Sequence, residues 1–325
     1  MHQIFIGANS GAFLVTWQTT IAEAAIIHLG TEPVIAAATI PGRGVLCAVY
    51  HSNEDHRHSR LLWYDPVAQT LIPASDMLIP RVTTIGIADG LIRIGTEGHH
   101  VYNLDEGILN SDDVFEAALR TEELHESNYG SAISMITCDP RTGHGIIAVS
   151  CGGLWIHRPH GWEVLDHPEY LHAISSDDAL VLRCVHGVSA GTHNDMLVQF
   201  HRGLTLFDGQ QWHNVEKPGH YAGFSTIYRP THDDFVAIPL VYDEQRTALN
   251  GELSFWIVDA MTRSTTNIPF GGGRDYSCVL RSGMTRSGDA VIVGTTSGRV
   301  VALDDTQVSE LPHHLGRILA VAAVG

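Results

Sequence analysis

Short apolar runs in the sequence repeat in pairs, and each pair is joined by a glycine-containing turn. GLWIHRPHGWEVL, which starts at Gly153, aligns with GLTLFDGQQWHNV, which starts at Gly203, so that Gly, Leu and Trp coincide at an offset of 50 residues. Related pairs occur in QIFIGANSGAFLVTW at the start of the chain, in LIRIGTEGHHVYNL and in AVIVGTTSGRVVALDD. Because the runs alternate or are rich in β-branched residues, and glycine supplies the positive φ of a tight turn, each pair predicts a β-hairpin.

Two further pairs have longer turns: VLCAVY with LLWYDPVAQTLIP, and FVAIPLVY with LSFWIVDAMTRSTTNIP. Every pair except the first is preceded by another apolar run, and the run that the first pair lacks is RILAVAAVG at the other end of the chain. The pattern therefore predicts seven four-stranded units that repeat every 40 to 55 residues, roughly the spacing of propeller blades.

This arrangement is typical of an all-β protein, a seven-bladed β-propeller whose C-terminal strand joins the N-terminal blade and closes the ring. A chain of two β-sandwich domains is the alternative. As a single domain, residues 1–325 divide into predicted blades at residues 1–30 with 317–325, 33–73, 81–110, 131–165, 180–216, 222–269 and 277–312.

One segment has helical periodicity. Within residues 111–126, SDDVFEAALRTEELHE, the residues Val114, Phe115, Ala118 and Leu119 form one apolar stripe after a Ser/Asp cap. The segment predicts a short helical insert near 111–126, in the connection between blades 3 and 4.

The hairpins of the two central blades resemble the repeats of the two-component-regulator propellers, in which Gly-Leu, an aromatic or apolar residue, Phe-Asp-Gly and Trp recur. The residues that carry the resemblance are Gly203, Leu204, Phe207, Asp208, Gly209 and Trp212, and in part Gly153, Leu154, Gly161 and Trp162. The resemblance implies a propeller, and in that family it implies sensing or scaffolding rather than chemistry. The sequence contains neither the Ser-x-Asp-x-Gly-x-x-Trp box of sialidase-like propellers nor the GH…WD signature of WD repeats.

The lengths of the predicted turns differ between the two faces of the ring. If the strands of a blade are lettered A to D from the axis outward, the B–C turns and D–A connections open on one face, and that face commonly binds ligands in propellers. Its B–C turns are short except in blade 2 (residues 51–60) and blade 6 (residues 243–252). Since loops on a rigid scaffold carry function, this face is predicted to bind a small molecule, a protein or a peptide.

The candidate ligand-binding residues lie in these loops or on innermost strands that face the central channel, where arginine suits an anionic ligand. They are Tyr50, Arg183, His186, Tyr242, Asp243, Arg246 and Arg281.

The blade 2 loop, YHSNEDHRHS, is rich in metal-ligating side chains. His51, His56, His58 and Asp55 offer nitrogen and oxygen ligands of the kind that hold Zn²⁺ or Mn²⁺. The alternative is a solvated hairpin tip in a chain that has 21 histidines. The sequence leaves both interpretations open.

Composition and charge limit the classes of partner that the chain is expected to bind. The formal net charge is −17 with Lys217 as the single lysine, and the arginines are scattered, so nucleic acid is not an expected partner. No apolar stretch approaches the roughly 18 to 20 residues of a membrane helix, so no membrane partner is expected either. The start, MHQIFIGANSG, lacks a signal-peptide pattern, and the five cysteines lack a CxxC spacing. These features predict free thiols and a cytoplasmic location.

Two functions remain open from the sequence. The chain has no GxSxG, no HExxH, no P-loop and no GxGxxG between a strand and a helix. This favours a non-catalytic binding propeller that uses the face with the long loops of blades 2 and 6. The alternative is a divalent-metal-dependent lyase or hydrolase with its site at residues 51–58, in which the metal would act as a Lewis acid.

Overall fold

The computed structural model describes residues 1–52, 54–120, 132–168, 183–200, 203–215, 225–238, 253–270 and 278–324. One α-helix, α1 (Asp113–Leu119), and a 3₁₀ turn at Ile21–Glu23 accompany the strands in this part of the chain. The strands of the first half are β1 (His2–Ala8), β2 (Gly11–Trp17), β3 (Ala25–Gly30), β4 (Val34–Ile40), β5 (Gly44–Tyr50), β6 (His58–Asp65), β7 (Thr70–Pro73), β8 (Ile79–Pro80), β9 (Val82–Ala88), β10 (Leu91–Thr96), β11 (Val101–Asp105), β12 (Ile108–Ser111), β13 (Ile133–Cys138), β14 (Gly145–Val149), β15 (Gly153–Arg158) and β16 (Gly161–Val164).

The second half continues with the same element type. Its strands are β17 (Val185–Ala190), β18 (Met196–Phe200), β19 (Gly203–Phe207), β20 (Trp212–Asn214), β21 (Ser225–Arg229), β22 (Asp234–Ile238), β23 (Ser254–Asp259), β24 (Thr265–Pro269), β25 (Val279–Ser287), β26 (Ala290–Thr295), β27 (Val300–Asp304), β28 (Gln307–Glu310) and β29 (Ile318–Ala323).

The strands pair as seven antiparallel blades, which confirms the predicted β-propeller. Blades 2 to 6 are consecutive groups of four from β4–β7 to β21–β24, with the two-residue β8 as an addition to blade 2, and β25–β28 form blade 7. Blade 1 has the order β29-β1-β2-β3, so the last strand of the chain is the innermost strand of the first blade, as predicted. Each innermost strand packs against the next around the ring, and β29 meets both β25 and β4.

Strand alternation explains why the inner strands read as continuous apolar runs. Successive side chains point to opposite faces, and both faces of a blade are covered by neighbouring blades. In β1, Ile4 and Ile6 pack with Ile292 of blade 7, whereas Phe5 between them packs with Leu62 of blade 2. Seven such hydrophobic clusters fill the seven interfaces between blades.

The helical insert forms as predicted, but the face that it buries differs from the predicted apolar stripe. Phe115 and Leu119 of α1 are buried, and the Phe115 ring meets Trp155 and Trp162 of blade 4 edge to face. Val114, which the predicted stripe placed inward, is 66% exposed. The described helix ends at Leu119, and the remainder of the predicted insert lies largely in residues 121–131, outside the described part.

Among the described residues, no helix is long and apolar enough to cross a membrane.

Candidate functional site

The two faces of the ring carry different groups of polar side chains. We name the face of the B–C turns and D–A connections the loop face, and the face of the A–B and C–D turns the turn face. The predicted helical insert between blades 3 and 4 and the long loop of blade 6 fall partly or wholly outside the described residues. The blade 6 loop, with the candidate residues Tyr242, Asp243 and Arg246, lies in residues 239–252, and so its geometry is not described.

The blade 2 loop is built on a short closed hairpin. The backbone N–H of His51 donates to the carbonyl of His58 at 2.9 Å, and β8 pairs with β6 at the base of the loop. Asp55 Oδ2 lies 2.8 Å from His58 Nδ1, and Asp55 Oδ1 accepts from the backbone N–H of Arg57. These hydrogen bonds, that of His58 first, lower the pKa of Asp55. Asp55 and His58 are thus the pair that the loop brings together.

His56, a second of the three loop histidines, has a different partner. His56 stacks on Tyr50 with ring centroids 4.4 Å apart, while His58 is engaged with Asp55. In the described part of the chain, the one group of three His, Cys, Asp or Glu ligand atoms within 4.8 Å of one another lies outside this loop. A metal at His51, Asp55, His56 and His58 therefore stays a prediction.

A chain of aromatic and charged contacts leads from this loop to the channel. Arg81 lies in the connection from blade 2 to blade 3. Its guanidinium is 5.6 Å from the Tyr50 ring centroid. Arg81 Nη1 is 3.2 Å from Glu97 Oε1, in the B–C turn of the same blade. Because a guanidinium is attracted to an aromatic face, these contacts hold Arg81 at the rim of the channel.

Arg281 reaches the same region from blade 7. The register of β25 against β26 shifts between Val279 and Met284, so Arg281 sits in a bulge of an innermost strand. Bulges re-aim side chains and are common beside functional sites. Burial lowers the pKa of the Arg281 guanidinium, and Cys184, Glu97 and Arg81 also act on it electrostatically. Blades 7 and 3 thus bring two arginines and one glutamate to the channel mouth, a group that we name the mouth cluster (Arg81, Glu97 and Arg281).

The two candidate residues on blade 5 differ in setting. His186 is 6% exposed on β17, and its Nε2 lies 3.3 Å from the Cys184 sulfur. Arg183 forms a two-pronged pair with Asp166, from Nε to Oδ1 at 3.0 Å and from Nη2 to Oδ2 at 2.8 Å. This pairing neutralises Arg183, which makes it a weak candidate anchor for an anion.

The turn face holds a group that sequence reasoning missed, which we name the turn-face triad: Asp89, His144 and His157. Asp89 lies in the A–B turn of blade 3, His144 ends the A–B turn of blade 4, and His157 is on β15 of blade 4. Asp89 Oδ1 is 2.8 Å from His157 Nδ1 and 3.8 Å from His144 Nδ1. All three are partly exposed, and one ligand atom from each lies within 4.8 Å of the others, so together they could hold a metal ion.

The triad rests on a network of hydrogen bonds and ion pairs. Asp89 also accepts from the backbone N–H of Gly145, and its Oδ2 lies 3.0 Å from Arg93 Nη2. Position 145 has to be glycine, because a Cβ there would lie 2.7 Å from Asp89 Oδ2. His157 stacks on Trp162, and Arg93 lies over the same indole ring. The carboxylate and the His157 ring are therefore held in fixed orientations.

A small cleft of about 100 Å³ opens beside the triad, between blades 4 and 5. His144 lines it together with Asp139, Arg141, Arg158, Asn194 and Asp195. The only sequence signal for the triad was that Asp89-Gly90 forms a turn. Since its members lie 55 and 13 residues apart along the chain, the packing of one blade on the next brings them together.

The chain is thus a seven-bladed β-propeller with a polar group of side chains on each face of the ring. No model of a known protein family matches it, and no curated protein matches it in sequence. The resemblance to two-component-regulator repeats is accordingly confirmed only as far as the propeller fold.

Solved structures support the same class. The chain is similar to the GH74 xyloglucanase from Xanthomonas campestris, with a TM-score of 0.60 and 11% identity over 98% of this chain and 52% of that one. It is also similar to the computationally designed Ika8 protein, with a TM-score of 0.54 and 10% identity over 98% and 86% of the two chains. The chain spans about half the length of the xyloglucanase. At these identities the likeness shows the fold alone.

Proposed function

We propose that the protein is a binding propeller that takes a carboxylate or phosphate group, of a small molecule or an acidic peptide, at the channel mouth on the loop face. The observation that carries this proposal is the bulge in β25 at Arg281, whose guanidinium is buried and lies within electrostatic reach of Arg81 and Glu97. Arg281 and Arg81 supply the charge, and the Tyr50–His56 stack supplies a flat apolar surface beside them.

Local charge supports an anionic ligand. The chain as a whole carries −17, so two arginines close together at one rim stand out from their surroundings. Guanidinium groups bind carboxylate and phosphate in a planar, two-pronged geometry, and burial of one of them strengthens that interaction. Arg281 is the main anchor in this proposal, since it is the more buried of the two arginines.

The test is calorimetric titration with inorganic phosphate and with succinate as probes. We expect Arg281→Gln to weaken binding of the preferred probe by about tenfold or more, because a charge-assisted hydrogen bond contributes about 1.5–3 kcal/mol. Arg286→Gln, on the same strand at its other end, is the matched control and should bind as the wild type does. Equal affinities in all three proteins, or no binding of either probe, would reject the anion site.

A second candidate function is divalent-metal binding at the turn-face triad, favoured by the convergence of Asp89, His144 and His157. Two imidazoles and one carboxylate suit Zn²⁺ or Mn²⁺, and His144 also lines the neighbouring cleft. In this second proposal the metal site of the enzyme alternative is the turn-face triad, and the site at residues 51–58 stays the competing prediction. A lyase or hydrolase would use such an ion to polarise a carbonyl or activate water.

Paired variants discriminate between the two metal hypotheses. Zn²⁺ and Mn²⁺ are titrated into the wild type, into His144→Ala/His157→Ala and into His51→Ala/His58→Ala, with circular dichroism melting as the check on folding. The turn-face site predicts that only the first variant loses binding. Loss in the second variant alone would instead support the blade 2 loop, and a wild type that binds neither ion would reject both.

A further inference from the structure

Two cysteines from neighbouring blades lie together on the loop face. Cys151 is in the B–C turn of blade 4, and Cys184 directly precedes β17, the innermost strand of blade 5. Their sulfurs are 3.4 Å apart, although 33 residues separate them in the chain. A disulfide has an S–S length of about 2.05 Å, so the two sulfurs need to approach by only about 1.4 Å.

The surroundings give the two thiols different properties. Cys184 is 7% exposed, whereas Cys151 is more accessible at the tip of its turn. The hydrogen bond with Cys151 and burial raise the pKa of the Cys184 thiol, which keeps it protonated. His186 Nε2 lies 3.3 Å from the Cys184 sulfur, within reach of that proton. The accessible thiol of Cys151 thus lies next to the buried thiol of Cys184, and the His186 imidazole can accept the proton of Cys184.

The turn that carries Cys151 is held in a strained conformation. Cys151 has φ of 60°, in the left-handed region that residues other than glycine, asparagine and aspartate rarely adopt. The Trp155 indole N–H donates to the carbonyl of Gly152 at 2.8 Å and fixes the turn from the inside. Backbone strain of this kind collects at functional positions, and in this turn the Cys151 sulfur lies 3.4 Å from that of Cys184.

A metal is the other ligand to consider for such a group. Cys151, Cys184 and His186 do not gather three ligand atoms within 4.8 Å of one another, since the one such group in the described ranges is on the turn face. The sulfurs and the imidazole instead contact one another in the order Cys151–Cys184–His186, with neighbouring distances of 3.4 and 3.3 Å. Such a succession of contacts suits bond formation followed by proton transfer better than coordination of one metal ion.

We propose that Cys151 and Cys184 are a redox modification site that a hydroperoxide converts to a disulfide linking blades 4 and 5. The Cys151 sulfur attacks the peroxide, an S–O bond forms as the O–O bond breaks, and the alcohol leaves with the Cys151 proton. The product is a sulfenic acid on Cys151. The Cys184 sulfur then attacks Cys151, the S–S bond forms, and the S–O oxygen leaves as water with the Cys184 proton, passed on by His186. Two thiols are oxidised, and the hydroperoxide is reduced to an alcohol and water.

The test counts thiols after treatment with stoichiometric hydrogen peroxide. All five cysteines of the reduced, denatured wild type should be alkylated, and only three after oxidation, with a 151–184 cross-linked peptide in the digest. Dithiothreitol should restore the count. Cys278→Ser is the matched control, because Cys278 directly precedes the innermost strand of blade 7 as Cys184 does in blade 5. It should keep the cross-link.

Two further variants separate the steps. Cys184→Ser should stop at a Cys151 sulfenic acid that dimedone traps, whereas Cys151→Ser should leave Cys184 unmodified. His186→Gln should form the sulfenic acid at the wild-type rate and the disulfide at least about tenfold more slowly, because the proton acceptor is lost. Circular dichroism checks that each variant is folded. Five alkylated thiols after oxidation, or a cross-link between another pair, would overturn the proposal, which does not depend on the anion site.

Discussion

Single aspartates hold several of the turns on the turn face. In the C–D turns of blades 2, 5 and 6, the side chains of Asp65, Asp208 and Asp259 each accept from the backbone N–H groups two and three residues further on. This is the local hydrogen bonding that makes aspartate a turn residue. Asp208, in the Phe-Asp-Gly of the repeat motif, therefore has a structural role.

Asp208 gives a prediction for stability and its dependence on pH. The N–H of Gln211 first, and then His213 at 2.5 Å, lower the pKa of Asp208 to about 2. An unfolded aspartate has a pKa of about 4, so the ionised form is favoured in the folded state and its contribution is complete above that value. It is lost as the pH falls toward 2. We expect Asp208→Ala to lower the free energy of unfolding by about 1 kcal/mol at pH 6, since the group is partly exposed.

Urea denaturation at pH 6, 4 and 3 measures this difference, which should shrink as the pH falls. Asp105→Ala is the control, because Asp105 is an exposed residue at the end of the C strand of blade 3. If Asp105→Ala and Asp208→Ala destabilise equally, or if the difference from wild type does not change with pH, the turn interpretation is wrong.

At the scale of elements, α1 is joined to the turn-face triad through blade 3. The Asp112 side chain accepts from the backbone N–H of Phe115 and caps the helix. Its other oxygen lies 2.9 Å from Arg93 Nη1, as an ion pair without an aligned hydrogen bond, and Arg93 also pairs with Asp89. The side chains of Arg93 and Asp112 are about 5% exposed. A series of ion pairs, mostly buried, therefore connects the helix cap to the triad.

Removal of the Asp112 side chain should therefore lower the free energy of unfolding by more than the loss of an ordinary helix cap does. Loss of an N-cap costs about 1 kcal/mol, but Asp112→Ala also takes from Arg93 one of its two carboxylate partners, and breaking a buried pair costs about 3 kcal/mol or more. We expect Asp112→Ala to destabilise by about 3 kcal/mol in chemical denaturation. Asp113→Ala, one residue on and exposed, should stay within about 0.5 kcal/mol of wild type. A loss of 1 kcal/mol or less for Asp112→Ala would show that Arg93 does not need this partner.

At the scale of the molecule, closure of the ring depends on β29. Its side chains at Ile318, Ala320, Val321 and Ala322 are at most 2% exposed, and it pairs with β1 on one side and touches β25 on the other. Without it, β1 would be an open strand edge at the channel, and open edges invite aggregation. The two ends of the chain meet there, with the N–H of Val324 donating to the carbonyl of Gln3 at 3.0 Å.

A circular permutant tests closure without loss of residues. New ends between His313 and His314, which are exposed, with a short Gly-Ser linker joining residues 325 and 1, should leave the Tm within about 3 °C of wild type. Deletion of residues 315–325 should instead abolish cooperative melting and give aggregates in size-exclusion chromatography. A deletion variant that melts cooperatively as a monomer would show that β29 is dispensable.

The sequence by itself determined the fold, because a propeller blade is a local structure. Period-2 runs, glycine turns and an unpaired run at the far end of the chain were sufficient for seven blades and their closure. It also located the blade 2 loop and placed Arg281 and His186 on inner strands. The helix was predicted, but its face was not, since Val114 and Phe115 are both apolar and only contact with Trp155 and Trp162 selects between them.

Tertiary structure decided which polar residues meet. The turn-face triad, the mouth cluster and the Cys151–Cys184 pair each contain residues from different blades. The alternation of residues within one blade does not determine how that blade is rotated against the next, so these contacts could not be predicted from it. The residues of YHSNEDHRHS are neighbours in sequence, yet they separate into an Asp55–His58 pair and a Tyr50–His56 stack, because each side chain follows its own rotamer and partner. Proximity along the chain therefore predicted the location of the loop, and only packing in space fixed the side chains that could act together.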